Sequence, residues 1–273
     1  MLEFSEGFIQ VDSLNIHYHR TSGVGKPSLL LLHGVMDNGL CWTPVARDLQ
    51  ARFDVIMPDA RGHGLTGGSL ENFSFMQLAD DVAALIGVLN LEKPYLFGHS
   101  MGAMTSIVVA ARYPDVVRAM VLEDPPFFKD ESALISEENT PEPEILPAFQ
   151  SILSLRTMSP EERLVAARKF NPLWDEVELG SWADSKVEFD PEVFQHLQPT
   201  YSWPELLPAI TCPILLVTGD PDAGAIVTPQ TAREAASLWQ RGEVIQIQGA
   251  GHCIHRDRYA ETMPRIQDFL SRV

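Results

Sequence analysis

Apolar and polar residues alternate over 7–11 and again over 14–19, with Asp12 and Ser13 between them, which predicts a β-hairpin. The stretch 28–32 is apolar after its first residue and stops at His33-Gly34. Such a run suits a strand buried on both faces, as in a parallel sheet. A short helical pattern follows over 42–52, then a second buried strand over 54–57, closed by Pro58. Over 73–90, Leu78, Val82, Leu85, Ile86 and Leu89 recur at helical spacing and predict an amphipathic helix. A third strand over 95–97, a helix over 103–113 stopped by Pro114, and a fourth strand over 119–122 before Asp124-Pro125-Pro126 continue the series. Repeated strand–helix–strand units predict an α/β fold, a mostly parallel sheet with helices on both faces.

The pattern then changes. From 127 to 203 no strand is legible, and the segment is rich in proline, acid and tryptophan (Trp174, Trp182, Trp203). Helices are expected over 145–155 and 160–170, the second opened by Ser159-Pro160-Glu161-Glu162 as cap and first turn. The acidic run 130–144 reads as a solvated loop. Alternation resumes with a strand over 214–218, a helix over 230–240, a strand over 244–247 and a helix over 256–270. The expected organisation is a core domain, 1–126 and 204–273, with 127–203 inserted as a helical cap.

Charge narrows the partners. The chain of 273 residues carries 37 acidic against 20 basic side chains, a formal charge of −17. That surface repels phosphate backbones and anionic membranes, so neither nucleic acid nor membrane is an expected partner and a small-molecule substrate is. Three cysteines, Cys41, Cys212 and Cys253, are odd in number and without CxxC spacing, so no disulfide framework or zinc site is expected. Residues 1–11 contain Glu3 and Glu6 and lack the cationic start of a signal peptide. The apolar runs are too short to span a bilayer. A cytoplasmic enzyme is expected, as a monomer or homodimer.

Gly98-His99-Ser100-Met101-Gly102 carries the chemistry. It fits G-x-S-x-G, directly after a predicted strand and before a predicted helix, the context that the motif requires. A serine on that sharp turn stands exposed above the sheet, and glycines two before and two after let neighbouring backbone pass close by. Its hydroxyl needs a base at neutral pH. Of the eight histidines, His252 in Gly249-Ala250-Gly251-His252 follows the last predicted strand and completes the order nucleophile, acid, base. His63 and His33 read as structural, His255 as a surface residue, and His17, His19 and His196 have no supporting context. The acid that orients the imidazole is expected to be Asp222, past the penultimate strand in Gly219-Asp220-Pro221-Asp222, with Asp124 and Asp220 as alternatives. The oxyanion donors are expected to be the backbone N–H groups of Met101 and Val35. Met36, His99, Phe128, Trp174 and Trp182 are the expected substrate-binding residues.

Together these segments, with Leu30-Leu31-Leu32-His33-Gly34 and Pro58-Asp59-Ala60-Arg61-Gly62-His63-Gly64, resemble the α/β-hydrolase family over nearly the whole chain outside the insertion. The resemblance implies an eight-stranded sheet, a lid after the sixth strand, acyl-enzyme chemistry on Ser100, and no cofactor or metal. Epoxide hydrolases and haloalkane dehalogenases of this family carry aspartate where this chain has Ser100. Meta-cleavage C–C hydrolases usually place a tryptophan after the catalytic histidine, where Cys253-Ile254 stand here. Esterases and lactonases are the best match. The expected activity is hydrolysis of a small-to-medium apolar ester or lactone by a Ser-His-Asp triad. C–C bond hydrolysis with the same triad, or slow-turnover sensing of a small ligand, are the alternatives.

Overall fold

The computed structural model describes residues 4–23, 25–128, 147–196 and 202–273. Strands β1 (Ser5–Val11) and β2 (Leu14–Arg20) form the expected hairpin, turned at Asp12 with φ 50°. Then β3 (Ser28–Leu32), α1 (Thr43–Leu49), β4 (Asp54–Pro58), α2 (Phe75–Val88), β5 (Tyr95–His99), α3 (Met101–Arg112) and β6 (Met120–Glu123) alternate as the pattern predicts. The described residues between β6 and the next strand form α4 (Pro147–Leu153), α5 (Pro160–Phe170), α6 (Glu176–Glu188), α7 (Val193–His196) and α8 (Trp203–Leu206). The chain ends with β7 (Ile214–Thr218), α9 (Pro229–Ala236), β8 (Gly242–Gln246), α10 (Ile254–Asp257) and α11 (Tyr259–Arg272).

One eight-stranded sheet runs in the order β1-β2-β4-β3-β5-β6-β7-β8. β2 pairs antiparallel with β1 and with β4, and every other pair is parallel. The leucines of β3 show why the central strands read as unbroken apolar runs. Leu30 and Leu32 enter one core with Leu78, Leu96, Ile107 and Leu122, while Leu29 and Leu31 enter the other with Val55, Phe97, Ile266 and Phe269. α2 and α3 cover the first face, α1 and α11 the second. Burying each such side chain contributes roughly 1.5–3 kcal/mol, and covering both faces fixes where the strands end.

Local signals set the helix ends. The Ser74 hydroxyl accepts from the Gln77 N–H and opens α2. Ser159 and Glu162 form a reciprocal capping box at α5. The expected helix over 256–270 is broken at Arg258 (φ −140°, ψ 57°) into α10 and α11. Of the helix expected over 145–155, the residues 145–146 lie outside the described residues, as does the acidic run 130–144, and α4 covers 147–153. The pattern missed α6 altogether. Its inward stripe joins Leu179, Trp182 and Ala183 to Glu178, Ser185 and Lys186, all buried, so its hydrophobic periodicity is weak. The three cysteines are free. Among the described residues no helix is long and apolar enough to cross a membrane.

Candidate active site

Ser100 stands between β5 and α3 with φ 51° and ψ −113°, a positive-φ conformation that costs a non-glycine residue of order 1–3 kcal/mol. Its surroundings hold it there. The Ser100 N–H donates to Glu123 O at 2.9 Å, tying the turn to β6, and Ser100 O accepts from the Met104 N–H at 3.0 Å inside α3. A side chain at Gly98 would run into the Gly102 backbone, and one at Gly102 into Leu32 O. Both glycines of the motif are thus required by close backbone approach.

The structure brings Asp124, not Asp222, to His252. The His252 Nδ1–H donates to Asp124 Oδ2 at 2.6 Å. Asp124 is fully buried and also accepts from the Ile226 N–H at 2.8 Å and the Val227 N–H at 2.9 Å, so three donors aim its carboxylate. Asp222 lies exposed in a 3-10 turn, Pro221–Ala223, where its N–H donates to Asp220 Oδ1 at 3.1 Å. The physical reason is that Asp220-Pro221-Asp222 forms a closed turn at the surface. The chain just beyond it folds inward and presents backbone N–H groups to Asp124.

The loop after β3 reaches the serine. A Cβ on Gly34 would stand 2.7 Å from His99 Nδ1 and 3.5 Å from Ser100 Cβ. Residues 34–37 form a turn, Asp37 N–H to Gly34 O at 3.1 Å, with Met36 at φ 66°. Val35 lies on this turn, and Met101 opens α3, where the first N–H groups have no intrahelical acceptor. Of the residues whose N–H groups are expected to receive the oxyanion, Met101 thus follows Ser100 directly, and Val35 follows Gly34, which approaches Ser100. His33 fixes the loop's base. Its Nδ1–H donates to Gly34 O at 2.8 Å and its Nε2 accepts from the Ala60 N–H at 3.0 Å. His99 is buried, donates from Nε2 to His252 O at 3.0 Å, and lies 4.7 Å from the His252 ring. Burial, with the neighbouring His252, pushes its pKa down to about 3, so it stays neutral and positions the His252 backbone.

Sequence reasoning missed a buried charge network beneath this loop. Asp37 accepts from Lys186 Nζ at 2.8 Å and from Arg256 Nη2 at 2.9 Å, and all three residues are buried. Lys186 also donates to Met36 O at 2.9 Å, and Ser185 Oγ donates to the same oxygen at 3.0 Å. α6 therefore grips the turn that carries Val35. Burial penalises the Asp37 carboxylate, but the Arg256 and Lys186 charges outweigh it and hold its pKa well below the usual range. Glu178 approaches Arg256 Nε at 3.5 Å, yet neither of its oxygens is hydrogen-bonded, and burial raises its pKa. A second carboxylate–histidine pair sits beside Asp124 and His252. Glu123 Oε2 accepts from His255 Nδ1 at 2.7 Å, both fully buried, with the His255 ring stacked 4.6 Å from Trp42. His255 is thus interior, against the sequence expectation of a surface residue. Buried ionic groups give no apolar pattern, so only their odd placement on an inward stripe could have signalled them.

The expected substrate-binding aromatics mostly attach α6 to the core. Trp174 Nε1 donates to Asp257 Oδ1 at 2.7 Å with its ring 5.0 Å from the Arg256 guanidinium. Trp182 packs with Cys41, Leu155 and Leu179, under Lys186 Nζ at 4.5 Å. Phe128 is half-buried and its carbonyl accepts from Trp203 Nε1 at 3.1 Å. Met36 is buried in the turn next to Val35, its carbonyl occupied as described.

Three comparisons bear on this architecture. The profile of the alpha/beta hydrolase fold matches residues 27–259. The chain is 28% identical to the 2-(acetamidomethylene)succinate hydrolase of Mesorhizobium japonicum, over 92% of this chain and 90% of that protein. It is 26% identical to the N-formylmaleamate deformylase of Pseudomonas putida, over 97% of this chain and 96% of that protein. Its fold is similar to that of the enol-lactonase from Burkholderia xenovorans LB400, with a TM-score of 0.76, 21% identity, and 97% and 100% of the two chains covered. With the profile spanning most of its length and its sheet order as found, the chain belongs to the alpha/beta hydrolase fold family.

Proposed function

We propose that the protein is a serine hydrolase that cleaves a small-to-medium, uncharged carboxylic ester or lactone through an acyl-enzyme on Ser100. The observation that carries the reading is the 2.6 Å bond from His252 Nδ1 to the buried Asp124, in a chain whose G-x-S-x-G serine sits at a positive-φ turn between strand and helix. Asp124 fixes the tautomer, leaving Nε2 to take the Ser100 proton as Oγ attacks the carbonyl. The N–H groups of Val35 and Met101 receive the developing oxyanion, each worth ~3 kcal/mol of transition-state stabilisation. His252 then gives the proton to the leaving alcohol, water enters, and the same steps in reverse order release the acid. The helices between β6 and β7, α4 to α8, serve in this reading as the cap of the site. The charge of −17 and the pairing of Lys186 with Asp37 support an uncharged substrate.

A second reading is hydrolysis of an N-acyl bond, favoured by the names of the two relatives at 28% and 26% identity, one carrying an acetamido group and one an N-formyl group. The same triad serves both leaving groups. The test is a panel of p-nitrophenyl esters from acetate to decanoate, aliphatic lactones, succinate monoesters, and N-acetyl and N-formyl enamides, each with wild type and Ser100→Ala. Multiple turnovers on neutral esters or lactones, lost in Ser100→Ala, support the first reading. Turnover confined to enamides supports the second. Turnover that survives in Ser100→Ala overturns both.

A further inference from the structure

The hairpin at the sheet edge carries a cluster that the triad does not use. Glu6 on β1 lies directly opposite His19 on β2, and His17 stands two residues from His19, so all three side chains share one face. Their donor atoms all lie within 4.8 Å of one another. The His17 and His19 rings meet edge to face, centroids 4.8 Å apart. From sequence, neither histidine had a supporting context, because the third donor comes from the other strand.

His17 is the telling member. It is 2% exposed, and its Nδ1–H donates to Asp59 Oδ2 at 2.7 Å. Asp59 is itself fixed by the N–H groups of Gly39 at 2.7 Å and Leu65 at 2.8 Å. In the neutral ring that bond places the hydrogen on Nδ1 and leaves the lone pair on Nε2. Nε2 is buried without a hydrogen-bond partner and faces Glu6 Oε1 at 3.4 Å. A carboxylate behind a histidine whose other nitrogen points at further donors is the arrangement that supports metal ligation.

We propose that Glu6, His17 and His19 form a binding site for a divalent transition metal of the zinc class, with Asp59 orienting His17 and water filling the fourth position. Two imidazoles and one carboxylate suit zinc, and three protein ligands leave one position open. Tetrahedral zinc with bonds of ~2.0–2.1 Å needs donors ~3.3 Å apart. Exposed Glu6 and half-buried His19 can close that gap while His17 stays anchored. The competing occupant of Nε2 is a proton shared with Glu6, a pairing favoured because the Asp59 and Glu6 carboxylates, against burial, raise the His17 pKa.

Chelator-treated protein titrated with Zn2+ against a chromophoric chelator tests the proposal, with the double variant Glu6→Gln/His19→Ala alongside. Both side chains lie at or near the surface, and circular dichroism checks that the variant folds. The expected result is one Zn2+ per chain bound at least ~10-fold more tightly by the wild type than by the variant, and tetrahedral Co2+ absorption present only in the wild type. Equal Zn2+ affinity in the two proteins overturns the site. Ester hydrolysis by Ser100 is expected to be the same in both, so the outcome is independent of the catalytic reading.

Discussion

His252 Nδ1 stands 2.6 Å from Asp124 Oδ2, while Asp222, three residues past Gly219 at the start of the loop after β7, is turned to solvent. Asp124→Asn is therefore expected to leave the geometry in place but present the wrong tautomer, lowering kcat by ~10⁴. Asp222→Asn is expected to leave kcat and KM as in the wild type. Hydrolysis of a p-nitrophenyl ester by the two variants checks this, and an inactive Asp222→Asn beside an active Asp124→Asn sinks the assignment.

The strain at Ser100 has its own readout. At φ 51° glycine is unstrained, whereas alanine keeps the penalty. Ser100→Gly is expected to be more stable than Ser100→Ala by ~1 kcal/mol, and both to be inactive. Urea denaturation midpoints of the two variants measure it. Because the freer unfolded chain of glycine costs about 0.5–1 kcal/mol, Ser100→Gly less stable than Ser100→Ala by that amount means that the turn is not strained.

Lys186 is expected to matter to rate as well as to folding. Lys186→Met removes a charge partner of buried Asp37 and is expected to cost ~3–5 kcal/mol of stability. It also removes one of the two donors to Met36 O, leaving only Ser185 Oγ there and loosening the turn that carries Val35. A donor displaced by about 1 Å can cost ~10² in rate, so kcat is expected to fall by that order with little change in KM. A loss seen in KM alone assigns Lys186 to substrate binding instead.

Two buried glutamates are expected to respond to pH in opposite directions. Burial opposes the charge of Glu123, but His255 outweighs it and holds the carboxyl at about 2. The stability from this pair is complete above the ordinary carboxylate range and is lost as pH falls through about 2. Glu123→Gln is therefore expected to be less stable than wild type at neutral pH, with the gap narrowing on acidification. Glu178 is raised by burial, so its charged form opposes folding at neutral pH. Glu178→Gln is expected to match or exceed the wild type at pH 7, and any advantage to shrink as the wild-type carboxyl protonates. Denaturation midpoints measured from neutral pH downward check both signs.

The elements were legible where sterics or burial leave a mark on the sequence. Gly98 and Gly102 mark the turn because backbone passes against both, and the leucines of β3 mark a strand covered on two faces. Chain order named Ser100 and His252 as candidates for the same reason. The carboxylate partner of His252 was not legible, because Asp124 and Asp222 both follow strand ends, and what separates them is a pair of N–H groups, Ile226 and Val227, about a hundred residues from Asp124. α6 escaped notice because its inward face is partly ionic. Trp174 and Trp182 show a further limit, since an aromatic that ties a helix down and one that meets a ligand look alike in one dimension.

The grip of Lys186 on Asp37 limits how freely this scaffold can be recombined. The helices between β6 and β7 are the natural segment to exchange with a relative when a new specificity is wanted. In this chain such a graft would remove a cation from a buried carboxylate and let go of the backbone at Met36, next to Val35. A chimera would then lose turnover for reasons unrelated to its new pocket. Lysine 186 and aspartate 37 have to travel together, because replacing both by apolar residues would strand the buried Arg256 guanidinium that Asp37 also holds.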